Sequence, residues 1–149
     1  MNIELVALHK HWCTADAVKQ FVSAELPEKA SDKELSAEFQ DFGKLASSFM
    51  RLSVWYSLLY VVIEGFKELS LDDEKVNELL ANESNVDCLR LFRNATFHYQ
   101  KNPLTEKAQK FILAKDSETW ARELNKAFEQ FFLNNLPIKE TLNAIKQST

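Results

Sequence analysis

Residues 89–100 of this 149-residue chain read Leu-Arg-Leu-Phe-Arg-Asn-Ala-Thr-Phe-His-Tyr-Gln. Four residues separate Arg93 from His98, and Asn94 directly follows the arginine. These three side-chain types suit metal-free cleavage of RNA. Such a reaction needs a base for the ribose 2′-OH, donors for the phosphorane oxygens and an acid for the leaving oxygen. Histidine titrates near neutrality and can carry the proton transfers. Arginine keeps its charge and can hold phosphate with two parallel N–H groups. The Asn94 amide adds a further hydrogen bond. One histidine does not easily serve as base and acid at once, and a two-fold dimer would place two Arg93/His98 pairs across a shared cleft. On an ideal helix Asn94 and His98 share a face, whereas Arg93 and His98 stand about 140° apart, so Arg93 must reach the site with its long side chain.

The charges around the motif are uneven. Segment 88–115 holds Arg90, Arg93, Lys101, Lys107, Lys110 and Lys115 against Glu106 alone, a net of +5 in a chain whose total is −4. A basic focus on an acidic protein fits a local phosphate-binding site, with Arg90 and Lys101 beside the motif as phosphate contacts. It also fits a solvated helix face. A structural alternative for the motif itself is that Arg93 pairs with an acid, Glu64 being the candidate, while His98 is an ordinary core or interface residue. Glu64 would then be a buried acid that either pairs with Arg93 or orients His98. Tyr99, next to His98, is a second supporting candidate.

His9, His11 and Cys13 form another cluster of potential ligands. On a helix His9 and Cys13 share a face and His11 lies nearly opposite. Zinc wants four convergent ligands and no second ligand pair is evident, so no metal or other cofactor is expected. The two cysteines, Cys13 and Cys88, make no disulfide framework and suit a reducing compartment.

Glycine occurs twice, at Gly43 and Gly65, and proline three times. A P-loop or a dinucleotide-binding turn needs several glycines in one short stretch, because the backbone must approach phosphate closely. Many-stranded β-sandwiches need more turn residues than this. The chain is 46% hydrophobic, enough for a real core, and its length suggests a single domain over 1–149. The start Met1-Asn2-Ile3-Glu4 lacks the basic and apolar runs of a signal peptide. The longest apolar stretch, Val54 to Ile63, is about half of a membrane span. A cytoplasmic location without membrane contact is expected.

Hydrophobic spacing then supplies the elements that must hold the motif. Segment 4–26 alternates apolar and polar residues at near-helical spacing and stops at Pro27. Ser31 and Glu34 resemble a capping box that opens a long helix over 34–69. Its positions 35, 39, 42, 46, 49, 53, 56, 60 and 63 recur in steps of four and three, a heptad-like seam. Val54 to Ile63 is apolar almost all round and should be the most buried element. Gly65 could bend the helix or admit another backbone. Ser70 is the expected N-cap of a short helix over 72–81. Ser84 and Asp87 should open a helix over 85–99 that presents Val86, Leu89, Leu91 and Phe92 to the core. Asn102-Pro103 reads as an N-cap and first-turn proline for a helix through Leu113. Ser117 is the expected cap of the last long helix, with a stripe of Trp120, Leu124, Ala127, Phe128, Phe131 and Leu133. Pro137 marks its end, and a short frayed helix finishes the chain. The sum is an all-α, up-down antiparallel bundle of five to six helices with one long central helix.

Arg93-Asn94-Ala95-Thr96-Phe97-His98 resembles the Arg-x(4–6)-His signature of the HEPN superfamily, in which a polar residue often follows the arginine. The small helical domain, the long helix before the motif helix and the Trp- and Phe-rich C-terminal helix are similar to HEPN domains too. The resemblance implies a bundle that dimerises about the motif helix. It also implies a metal-independent endoribonuclease leaving a 2′,3′-cyclic phosphate, with Arg93 and His98 catalytic and Asn94 supporting. Many relatives act as toxins or in phage defence, often beside a separately encoded antitoxin. A branch regulated by nucleotidylation carries tyrosine two positions after the histidine, where this chain has Gln100, and Tyr99 sits one residue early. Some HEPN domains are non-catalytic. The expected function is therefore a homodimeric endoribonuclease acting on RNA, and the alternative is a non-catalytic helical module that binds a nucleotide or a partner.

Overall fold

A computed structural model describes residues 2–24, 36–102 and 106–147. The described residues form seven helices and no strand: α1 (Ile3–Phe21), α2 (Ala37–Glu68), α3 (Glu74–Leu80), α4 (Glu83–Phe97), α5 (Glu106–Leu113), α6 (Ser117–Asn135) and α7 (Ile138–Gln147). The fold is thus an all-α bundle around one long helix. The seventh helix is the short terminal segment expected to fray.

The helix starts are set by side chains that accept otherwise orphaned amide hydrogens. Asn2 caps α1, Ser36 caps α2, Asp73 caps α3 and Asn82 caps α4. Three helix starts differ from the sequence expectation, and α2 begins at Ala37 behind Ser36 rather than at residue 34. Ser70 is not the cap of α3: it turns the chain with a φ of 50°, and Asp73 accepts from the Val76 amide at 3.0 Å. A carboxylate three residues later both accepts the amide and faces the helix dipole, so it outcompetes the serine. Ser84 likewise lies inside α4, because Asn82 accepts from the Asn85 amide at 3.1 Å. Ser117 is the first residue of α6 rather than its cap and is buried, with Asp116 at φ 64° before it. The Ser31–Glu34 capping box, Leu35 and Pro103 lie outside the described residues.

Helices α1 and α2 run antiparallel. Leu8 of α1 lies beside Gly65 of α2, and at the other end the Arg51 guanidinium donates to the carbonyls of Phe21 and Ala24. A Cβ on Gly65 would stand 2.5 Å from Leu8 Cδ1, so glycine there lets the neighbouring helix close in. Two indoles then tie the outer helices together. Trp12 Nε1 donates to the Asn125 carbonyl at 3.1 Å, joining α1 to α6, and Trp120 Nε1 donates to the Leu79 carbonyl at 2.9 Å, joining α6 to α3.

The core gathers along the second half of α2. Trp55, Leu59, Val62 and Ile63 are sealed from solvent, as their all-round apolar pattern predicts. Tyr56 meets Phe92 and Phe111 edge-on, and Phe66 meets Phe128 and Phe131. Helix α4 contributes Val86, Leu89 and Phe92, with Leu91 only partly covered, and α6 contributes Trp120, Leu124, Ala127, Phe128 and Phe131. The buried hydroxyls of Ser53 and Ser57 are absorbed locally, each donating to the carbonyl four residues before it.

The heptad-like seam of α2 divides in two. Ser53, Tyr56, Tyr60 and Ile63 are buried, whereas Phe39 and Phe42 remain 65% and 67% exposed. At 32 residues α2 is about 48 Å long and α1 only about 28 Å, so the first turns of α2 run past the end of its described partner. By length and composition α2 is also apolar enough to cross a bilayer, with 44% of the relevant window buried inside the bundle.

Candidate functional site

The candidate site occupies the last two turns of α4 and the face of α2 beneath them. Arg93 points toward α2. Its Nη2 donates to Glu64 Oε2 at 2.6 Å, its Nη1 donates to Asn94 Oδ1 at 2.9 Å, and its guanidinium lies 5.6 Å from the centre of the Tyr60 ring. Tyr60 and Glu64 are four residues apart on α2, so they form one helical ledge under the arginine. Glu64 is only half-buried, at 42% side-chain exposure, rather than the buried acid that the sequence suggests.

This ledge organises the local electrostatics. Burial pushes the Tyr60 hydroxyl above its ordinary range and the Glu64 charge pushes it further, while Arg90 and Arg93 oppose both. Tyr60 therefore stays a neutral phenol through the physiological range, offering its ring face to the guanidinium. Tyr60 was not legible as a site residue from its type, although its place four residues before Glu64 is a usable signal. Deeper in the bundle, burial and the Glu118 charge push Tyr56 up to about 12.

His98 closes α4. Its amide still bonds the Asn94 carbonyl at 3.1 Å, so its backbone nitrogen follows the helical path, but ψ of 139° turns the chain away. The expected continuation of this helix to residue 99 therefore stops at Phe97. The His98 side chain is exposed, flanked by exposed Phe97 and by Tyr99, which is 91% exposed. Among the described residues no hydrogen bond joins Arg93 to His98. Arg93 is turned toward α2 and His98 toward solvent, as a 140° separation requires.

The basic surroundings are more balanced in space than in sequence. Arg90 bonds Asp87 Oδ1 through Nε at 3.0 Å and through Nη2 at 2.7 Å, which raises the arginine pKa further. Asp87 lies one residue before the +5 segment, and Glu64 joins it from another helix. Lys101, Lys110 and Lys115 are exposed. The open cations thus follow the motif rather than precede it.

The cluster of His9, His11 and Cys13 lies elsewhere. His9 packs against Trp12 and Phe132, with ring centroids 5.9 and 5.0 Å away, and its Nε2 is 3.4 Å from Cys13 Sγ. Burial lowers its pKa. Burial, followed by the Asp16 charge, raises that of Cys13. His11 is exposed. Among the described residues no three His, Cys, Asp or Glu side chains gather as a metal site would require. Compared with family models, with curated proteins and with solved structures, the chain matches none.

Proposed function

We propose that this chain is a metal-independent endoribonuclease of the HEPN kind, acting on single-stranded RNA at a site that two copies complete. The observation that carries the reading is the solvent-open His98, set between two exposed aromatic side chains one helical turn beyond a buttressed Arg93. Exposed aromatics stack on unpaired bases regardless of sequence. Two of the five Arg93 N–H groups are engaged among the described residues, which leaves others to meet a phosphate. The pair with Glu64 and Asn94 holds the guanidinium in place, so less side-chain entropy is lost when phosphate binds.

In this reading the imidazole of one His98 takes the proton from the 2′-OH. The 2′-oxygen forms a bond to phosphorus, the bond from phosphorus to the 5′-oxygen breaks, and the leaving oxygen takes a proton from the imidazolium of the second His98. The products are a 2′,3′-cyclic phosphate and a free 5′-OH. Arg93 and Asn94 stabilise the charge that grows on the phosphorane, while Lys101 attracts the strand. Such an enzyme would work in the cytoplasm as a toxin or phage-defence effector beside a separately encoded antitoxin.

One observation favours a second reading. The Arg93–Glu64 pair already neutralises the guanidinium, as in a module that uses the arginine for packing and binds a nucleotide or a partner without cleaving anything.

The decisive assay offers single-stranded RNA to the purified full chain in excess EDTA. Cleavage with 2′,3′-cyclic phosphate ends, lost in His98→Ala, is the expected result. Equal cleavage by the variant overturns the proposal. Salt-sensitive binding without any cleavage by the wild type establishes the second reading instead.

A further inference from the structure

The first half of α2 carries an apolar face that nothing among the described residues covers. Phe39, Phe42, Leu45, Phe49 and Met50 are all exposed, and Leu45 reaches 72%. At 100° per residue these five, with Ala46, fall within an arc of about 140°. The arc continues the direction of Ser53, Tyr56, Tyr60 and Ile63, which are buried in the bundle. One seam thus runs the length of the helix and meets partners along only half of it.

We propose that a second copy of this chain occupies the free half, the two α2 segments 37–50 pairing antiparallel about a two-fold axis at Lys44. This contact lies on α2 and is distinct from the pairing of two His98 side chains in the proposed function: a monomeric wild type sinks both, whereas a Phe42→Glu protein that still dimerises sinks this contact alone. Its first support is steric. The seam residues of the segment are Phe39, Phe42, Ala46 and Phe49. An antiparallel pair centred on residue 44 sets Phe42 against Ala46 of the other copy, twice, with Phe39 opposite Phe49 at each end. Large residues then meet small ones at the centre, the arrangement that knobs-into-holes packing requires.

The second support is the helix dipole: antiparallel dipoles oppose one another favourably, whereas parallel ones align. The third support is area. These side chains leave roughly 500 Å² of apolar surface in solvent, given the size of such groups, and two copies together would bury about 1,000 Å², the threshold for a specific interface.

Other occupants fit less well. A membrane surface calls for several lysines and arginines on the opposite face, and the segment carries Lys44 alone beside Glu38 and Asp41. Residues 25–35 of the chain supply only Leu26 and Leu35 as large apolar groups, too few for five exposed ones.

Light scattering and sedimentation of the full chain at micromolar concentration test the proposal, with Phe42→Glu and Ala46→Lys as variants. Both positions face solvent or are only partly covered in the single chain, so circular dichroism and thermal unfolding should show each variant folded. The expected result is a dimeric wild type, with dimer dissociation raised at least tenfold in each variant. Mixing the two variants should restore part of the affinity, because residue 42 of one copy then meets residue 46 of the other with opposite charge. A monomeric wild type overturns the proposal. So does a Phe42→Glu protein that dimerises as well as the wild type, which would place the dimer contact elsewhere. Binding to anionic phosphatidylserine vesicles by a monomeric wild type overturns it in favour of a lipid surface.

Discussion

The Arg93 guanidinium donates to the Glu64 carboxylate at 2.6 Å and so bridges α4 and α2 across 29 residues of chain. Both partners are partly exposed, with side-chain exposures of 27% and 42%, so the pair contributes little stability on its own, about 1 kcal/mol or less. Its consequence is positional. Glu64→Gln should cost no more than that in chemical denaturation. Under the proposed chemistry it should also slow RNA cleavage by up to roughly tenfold, about 1.4 kcal/mol of transition-state stabilisation, by loosening Arg93. A Glu64→Gln protein with unchanged cleavage would show that the pair serves packing alone.

Tyr99 is 91% exposed, so its side chain is open to a ligand. Tyr99→Ala should leave the unfolding midpoint within about 0.5 kcal/mol of wild type. It should weaken binding of single-stranded oligonucleotides by about 1–3 kcal/mol, the usual worth of one stacked base. Fluorescence anisotropy with a labelled RNA reads this directly.

The two glycines of α2 should respond oppositely to alanine. A Cβ on Gly43 meets nothing within 4 Å, so Gly43→Ala should stabilise the helix by about 0.5–1 kcal/mol. A Cβ on Gly65 collides with Leu8 Cδ1, and Leu8 is buried and has no solvent to move into. Gly65→Ala should therefore destabilise by about 1 kcal/mol or more, as overpacked cores do. Urea unfolding of the two variants side by side checks the sign of each.

His9 should give the fold a pH dependence. Burial against Trp12 and Phe132 lowers its pKa below the ordinary 6.5, so at mildly acidic pH the unfolded chain holds a proton that the folded chain rejects. Stability from this group is complete above 6.5 and is lost as the pH falls below that value toward the folded pKa. Asp16 acts in a different window. Burial works against its charge, but hydrogen bonds from Lys19, Gln20 and Asn125 outweigh burial and hold its pKa below 3.8, so its contribution is lost only at lower pH. Unfolding free energies at a series of pH values should decline below 6.5 in the wild type, with a shallower slope in His9→Gln.

The amino-acid sequence by itself determined the helical class, the long central helix and its buried half. Scarce glycine and proline leave few places to turn, and the 3.6-residue spacing of apolar side chains is a local property. It also singled out Arg93, Asn94, His98 and Glu64, because residue type and spacing are visible without a fold. What only the tertiary structure decided is where those groups point. That Arg93 meets Glu64 and Tyr60 depends on how α4 lies on α2, a relationship between distant segments. That Arg90 is tied to Asp87 while Lys101 stays open depends on rotamers and on α4 stopping at Phe97. The seam of α2 makes the same point. Its period promises a buried stripe along the whole helix, but burial needs a partner at every level, and α1 is too short to supply one.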